Sequence, residues 1–395
     1  MVAILFIAGA GYVSCQSPDR GRLDAASFER WFVGTGGSPS PDLYRATVSH
    51  IVSIVAAIRR QSPSGNRRVV LKDTAGSDYS VGYLTPAVIR HDTTYPCIIY
   101  LHGGIGSTRS DKGDSAYLML DMLADSMELF LASPSANRWT PWWSPAGLSR
   151  ILQTLRYMTL HYPINPDKVF LTGVSDGATG CWAAANSIAA PFAGFIAVSG
   201  FGGMLPQLGM TLNPENLMQR PIYNVNAGND RLYPIAAVNQ FLDFMEQGGV
   251  GVRRMIYPDE EHGFDYRFKE ASTLCGIIRD WSLPHGNGFR WKSSAAYPAV
   301  VGHCIAVERV VDASSFFVQG FCRSDTFFLH STGLRRLQMY FDADDRCMQQ
   351  AVFIINDKKS RHYKAITSNR EMELLLMKQR CFPVIVEGLF FSIPL

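Results

Sequence analysis

The sequence predicts an α/β fold, a mostly parallel sheet with helices on both faces, followed by a smaller all-β domain. Three observations predict it. Short, unbroken apolar runs alternate with helical stretches between residues 96 and 282. Several of those runs reach a glycine two residues on, as strands do where a loop turns over the edge of a sheet. Beyond Leu283 the texture changes to closely spaced runs of alternating apolar and polar residues, with little helical patterning. Strands buried on both faces read as continuous apolar runs, whereas half-exposed strands alternate.

After the loop-forming cluster Gly34 to Pro41, the segment Leu43 to Arg60 carries apolar residues at helical spacing (Val48, Ile51, Val52, Ile54, Val55, Ile58) and predicts one amphipathic helix. Arg67 to Lys72 and Tyr79 to Leu84, separated by Gly76 and Ser77, predict a hairpin. The expected core strands are then Cys97 to Leu101, Leu129 to Ala132, Val169 to Leu171, Phe195 to Val198, Ile222 to Asn226 and Arg254 to Tyr257. The expected intervening helices are Ser115 to Ser126, Ala146 to Leu160, Thr179 to Ala189, Ile235 to Gln247 and Asp265 to Ser282. In such sheets ligands gather at the carboxyl ends of the strands. Pro284, Gly286 and Gly288 mark a linker; after it come β runs from Cys304 to Ile393, with Arg370 to Gln379 the one helical candidate.

Composition narrows the function. Of 395 residues, 47% are apolar and 18% charged, enough material for a sizeable core. The net charge of +3, with no basic block, argues against a nucleic-acid partner. No apolar run reaches the roughly 18 to 20 residues that cross a bilayer. Val2 to Ser14 is uncharged and ends at Cys15; it fits the apolar core of an export signal, with a lipid anchor at Cys15 as one version and a buried N-terminal strand as the alternative. The export reading implies a periplasmic, secreted or outer-surface location; otherwise the chain is cytoplasmic. The eight cysteines include no C-x-x-C pair, so no structural zinc site is expected. Cys97 and Cys181 read as core residues; export would permit disulfides among the four C-terminal cysteines, whose pairing the sequence does not define.

The sharpest chemical signal is Gly173-Val174-Ser175-Asp176-Gly177, between an apolar strand and a helix. Glycines on both sides permit a tight strand-to-helix turn that pushes the serine hydroxyl above the sheet. A serine is a weak nucleophile until a base takes its proton. His262, in Glu-Glu-His-Gly-Phe after the last core strand, is the candidate base. Asp230, in Ala-Gly-Asn-Asp-Arg-Leu-Tyr-Pro, is the candidate orienting carboxylate; Asp259, Glu260, Glu261 and Asp265 compete with it by closeness in sequence. An oxyanion needs two backbone N–H donors. Asp176 supplies one. Gly104 is favoured for the other, with Gly103 and Ile105 as neighbours in the loop His102 to Gly106. His102 and Ser199 read as structural. Trp142 and Trp143, with Trp139, read equally as a hydrophobic clamp or as a wall of the substrate pocket, to which Ile105 would also belong.

The phrases YLHGG, INPDKVFLTGVSDGATG, NAGNDRLYP and PDEEHGF resemble the α/β-hydrolase superfamily, in particular polyhydroxybutyrate-depolymerase-like and dienelactone-hydrolase-like esterases. They are also similar to prolyl-oligopeptidase-type catalytic domains. The resemblance covers about residues 65 to 283 and implies Ser175 as nucleophile, His262 as general base and then acid, and Asp230 as the orienting carboxylate. FIINDKKSRHYKAI resembles the β domain appended to some exported bacterial members. Asp176, acidic beside the nucleophile, departs from the pattern.

Three parts follow: 1–30 as export signal and linker, 31–284 as an α/β-hydrolase catalytic domain, and 285–395 as a β-sandwich-like accessory domain. The expected activity is serine hydrolysis of a carboxylic ester, small or polymeric, through an acyl-enzyme, with no cofactor and no metal. A peptidase or amidase is the alternative within the class. A non-catalytic polysaccharide- or partner-binding protein on a hydrolase scaffold is the alternative outside it, and in either case the C-terminal domain is a candidate for glycan contact.

Overall fold

A computed structural model describes residues 23–34, 38–284, 288–294, 300–301, 305–310, 315–323, 326–342, 352–356, 358–362, 370–383 and 388–394. The apolar leader and Cys15 lie outside the described residues, as do Cys304 and Cys347.

Eight strands form the main sheet: β1 (Asn66–Lys72), β2 (Asp78–Leu84), β3 (Tyr95–Leu101), β4 (Phe130–Pro134), β5 (Ile164–Val174), β6 (Gly194–Val198), β7 (Ile222–Ala227) and β8 (Val252–Tyr257). Their order is β1-β2-β4-β3-β5-β6-β7-β8. The β1–β2 and β2–β4 pairings are antiparallel and the others parallel.

Side chains alternate across a strand, and here the alternation divides the interior into two cores. Cys97, Ile99 and Leu101 of β3, with Val169 and Leu171 of β5, join one buried cluster; Ile98, Tyr100 and Phe170 join the other. The unbroken apolar runs are therefore strands covered on both faces.

The helices are α1 (Ala25–Val33), α2 (Pro41–Arg45), α3 (Val48–Gln61), α4 (Gly113–Ala116), α5 (Asp121–Met127), α6 (Pro145–His161), α7 (Asp176–Ser187), α8 (Pro214–Leu217), α9 (Ile235–Gln247) and α10 (Arg267–Asp280). Helices α6, α7 and α9 fill the first core with Leu148, Ile151, Leu155, Trp182, Val238 and Leu242. Helices α5 and α10 fill the second with Leu123, Leu274, Ile277 and Ile278. A buried ion pair, Arg150 Nη2 to Asp73 Oδ2 at 2.6 Å, ties α6 to the turn after β1.

Two expected helices are each divided. The Leu43 to Arg60 stretch breaks at Ala46, which is extended (φ −62°, ψ 133°), and Thr47 restarts the helix by accepting the N–H of His50. The freed carbonyls of Leu43 and Ala46 accept from Arg370 Nη2 at 3.1 and 2.9 Å. A tertiary cation thus satisfies a helix end that local patterning would have continued. The Ser115 to Ser126 stretch becomes α4, a 3-10 turn (Tyr117–Leu120) and α5. Leu120 leaves the helical region there (φ −127°, ψ 15°).

C-terminal strands β9 (Phe289–Ser294), β10 (Val300–Val301), β11 (Ile305–Val310), β12 (Ser315–Arg323), β13 (Thr326–Thr332), β14 (Leu334–Asp342), β15 (Val352–Ile355), β16 (Lys358–His362) and β17 (Gly388–Pro394) form two further sheets. Their orders are β10-β11-β14-β17 and β16-β15-β13-β12-β9. Helix α11 (Arg370–Arg380) turns back onto the N-terminal helices, where Leu374 and Met377 share a buried cluster with Phe28, Phe32, Leu43 and Ile51. Helix α1 straddles residue 30, the expected boundary between the signal-and-linker segment and the catalytic domain, and is part of that cluster. Cys381 is a buried thiol whose Sγ donates to Leu152 O at 3.6 Å. Cys97 and Cys181 are fully buried, and burial pushes both thiols up.

Candidate active site

Ser175 sits between β5 and α7 with φ 57° and ψ −119°. A non-glycine residue at positive φ costs about 1–3 kcal/mol and persists only where its surroundings enforce it. The flanking glycines are part of that enforcement. A Cβ at Gly177 would lie 2.0 Å from Leu101 O, and one at Gly173 would lie 2.4 Å from Gly177 O. No side chain fits either position, so the turn closes on bare backbone. The Ser175 N–H donates to Val198 O at 2.9 Å, anchoring the turn to β6.

The loops after β7 and β8 bring the other two groups to the same rim. They are tied together by Gly228 N–H to Tyr257 O at 2.7 Å and Asn229 N–H to Glu260 O at 2.9 Å. Asp230 is buried; its Oδ1 accepts the N–H groups of Leu232 and Tyr233 at 2.8 and 2.9 Å. Its Oδ2 lies 2.8 Å from His262 Nδ1, and His262 Nε2 lies 3.1 Å from Ser175 Oγ. A carboxylate accepts, so Nδ1 carries the proton and the Nε2 lone pair faces the hydroxyl. Glu260 and Asp265, competing candidates for the acid, pair instead with Lys269 and Arg267 at 2.7 Å each. Asp259 and Glu261 are exposed.

Tyr233 completes the surroundings of the imidazole. Its ring stacks on His262 with centroids 5.6 Å apart, and burial pushes its phenol up. Nothing in the sequence singled it out, because its role comes from a fold contact rather than a motif.

The loop after β3 lies against the serine. A Cβ at Gly103 would meet Ser175 Cβ at 2.9 Å, so glycine is required there by close approach. Gly104 has φ 64°. Three successive carbonyls of the loop are tied back: His102 O accepts from Trp142 Nε1 at 2.9 Å, Gly103 O accepts from His102 Nδ1 at 2.9 Å, and Gly104 O accepts from Lys112 Nζ. The N–H of Gly104 meets no backbone acceptor among the described residues. The N–H of Asp176 stands in the first turn of α7, where helix geometry supplies no acceptor. Neither donor has a backbone acceptor among the described residues.

His102 is buried with both ring nitrogens engaged, since Nε2 accepts the Ala136 N–H at 3.1 Å. Burial, with a smaller contribution from the charge of Lys112, pushes its pKa down to about 4. It shapes the loop as a neutral ring.

Three expectations change. Trp142 is fully buried and packs edge-on against His102, so it is a clamp beneath the loop and not a pocket wall. Ile105 is only 5% exposed and belongs to the first core. Its N–H donates to Asp176 Oδ2 at 2.9 Å, which removes it as an oxyanion donor. That bond also accounts for the acidic residue beside Ser175, whose carboxylate turns toward the loop after β3. Trp143 is half-buried against the first core, while Trp139 is 71% exposed under the Arg138 guanidinium.

The strand order and the strained serine turn between β5 and α7 define the α/β-hydrolase fold. No family model matches the sequence, and no curated protein matches it. Similar solved structures include a thermostable esterase (18% identity, TM-score 0.45, covering 55% of this chain and 63% of that one). Others are the acylaminoacyl peptidase of Pyrococcus horikoshii (14%, 0.45, 57% and 43%) and fluorophosphonate-binding serine hydrolase F of Staphylococcus aureus (14%, 0.45, 55% and 98%). The chain spans less than two thirds of the length of the first two.

Proposed function

We propose that the protein is a serine hydrolase that cleaves carboxylic esters through an acyl-enzyme on Ser175. The observation that carries this reading is the unbroken hydroxyl–imidazole–carboxylate series, 3.1 and 2.8 Å between successive heavy atoms. Ser175 Oγ attacks the ester carbonyl as its proton passes to His262 Nε2. The N–H groups of Gly104 and Asp176 hold the oxygen on which charge develops, a type of contribution worth about 10²–10³ in rate per donor. His262 then gives the proton to the departing alkoxide, and the acyl-enzyme remains. Water then loses a proton to the same nitrogen and attacks the acyl carbonyl; the bond to Ser175 Oγ breaks, His262 returns the proton to Oγ, and the acid departs. Asp230 keeps the ring oriented and stabilises the imidazolium in both steps. An ester is the less demanding substrate, because an alkoxide leaves with less assistance than an amine.

A panel of p-nitrophenyl acyl esters, acetylated and feruloylated sugars and peptide p-nitroanilides tests the proposal, with Ser175→Ala as the blank. Hydrolysis of esters by the wild type, reduced ~10⁴-fold or more in the variant, is the expected result. Equal rates in both proteins, or turnover of anilides alone, would overturn it.

A further inference from the structure

The peptide unit joining Gly104 to Ile105 is gripped at both ends by charged groups. Its carbonyl oxygen accepts from the ammonium of Lys112, and its N–H donates to Asp176 Oδ2 at 2.9 Å. Both bonds are charge-assisted and match the peptide dipole, cation on oxygen and anion on nitrogen. The preceding unit is held differently. Its oxygen, on Gly103, accepts from His102, while its nitrogen, on Gly104, points its hydrogen to no backbone acceptor among the described residues.

Gly104 is the hinge between these two units, and it is held at φ 64°. Glycine visits positive and negative φ with similar ease, so nothing intrinsic keeps this conformation. A flip at the hinge would reorient the Gly104 N–H.

We infer that Asp176 and Lys112 are positioning residues for the oxyanion-binding loop, acting as a two-sided clamp on the Gly104–Ile105 peptide. The inference rests on the serine-hydrolase reading. Asp176 then has two tasks. Its backbone N–H is one donor of the hole, and its side chain fixes the loop that carries the other, so the two donors are linked through one residue. Lys112 also brings a positive charge to the end of the peptide opposite the one that the Asp176 carboxylate holds.

The test uses the full chain with Asp176→Ala, Lys112→Met, the double variant, and the conservative Asp176→Asn and Lys112→Arg. Asn keeps an oxygen for the Ile105 N–H, and Arg keeps a cation for Gly104 O. A preorganised donor acts on the transition state, so each truncation should lower kcat ~10–100-fold on p-nitrophenyl acetate while KM moves less than ~3-fold. Inhibition by a boronic acid, whose oxygen occupies the hole, should weaken in parallel with kcat. Two groups holding one peptide are not independent, so the double variant should fall within ~3-fold of the worse single variant. Asn and Arg should restore activity to within ~5-fold of wild type.

Multiplicative losses, a change in KM or thermal midpoint without kcat, or failure of both conservative variants to restore kcat would overturn the clamp. Wild type that neither turns over ester nor reacts with a fluorophosphonate would instead overturn the hydrolase reading beneath it. Reactive wild type with unaltered kcat in Asp176→Ala overturns the clamp alone.

Discussion

Asp230 holds the Nδ1–H of His262 at 2.8 Å from a side chain with no solvent exposure, while the imidazole itself is 23% exposed. The carboxylate is therefore fixed and the imidazole is reachable from solvent. Asp230→Asn can present a donor where Nδ1–H already donates, and the ring must then adopt the wrong tautomer or turn away. We predict a kcat loss of ~10³–10⁴ with a small change in KM. Glu261→Gln, altering the neighbour of His262 in sequence, should stay within ~3-fold of wild type. Steady-state kinetics on one ester checks both, and a loss under tenfold in Asp230→Asn would assign the orienting role elsewhere.

The glycines of the serine turn are predicted to be intolerant, and one nearby glycine is not. Gly177→Ala sets a methyl 2.0 Å from Leu101 O, backbone that cannot yield without moving β3. Gly106→Ala meets nothing within 4 Å and needs no positive φ. The first should destabilise by ~3 kcal/mol or more, the second by under ~0.5 kcal/mol. Urea denaturation of the two variants measures the contrast directly.

His102 makes stability fall in mild acid. Its pKa is about 4 in the folded protein against an ordinary 6.5. Above the ordinary value both states hold the ring neutral. As pH drops toward about 4, the unfolded chain takes up a proton that the folded chain refuses, so folding loses up to ~3 kcal/mol over that interval. His102→Asn should show a shallower decline in unfolding free energy between pH 6.5 and 4. An unchanged slope would mean the buried ring titrates normally.

Trp142 and Trp139 should separate cleanly. Trp142→Phe leaves His102 O without its donor in a buried site, at a cost of ~1–3 kcal/mol. Trp139→Phe, at a largely exposed position, should change stability by less than ~0.5 kcal/mol. If Trp142→Phe changed acyl-chain preference and not stability, the pocket-wall reading of that residue would return.

Much of the architecture was legible because the signals were local. Unbroken runs such as Cys97 to Leu101, too short for a helix and bounded by Pro96 and Gly103, read as strands covered on both faces, and the glycines around Ser175 mark a turn that other residues cannot make. The order Ser175, Asp230, His262 followed from each residue ending a strand or the loop beyond it. What stayed hidden depends on contacts between distant segments. The break at Ala46 is stabilised by Arg370, more than three hundred residues away. The bonds of Asp176 to Ile105, Lys112 to Gly104 and Trp142 to His102 pair residues with no shared motif. Aromatic patterning alone cannot distinguish a clamp from a pocket wall; for Trp142 burial decides it.

The most direct measurement is intact-mass analysis after incubation with a fluorophosphonate, followed by peptide mapping. The account predicts a single stoichiometric adduct on Ser175, absent in Ser175→Ala and formed ~10³-fold more slowly in His262→Ala. An adduct on another residue, or equal labelling of wild type and Ser175→Ala, would contradict it.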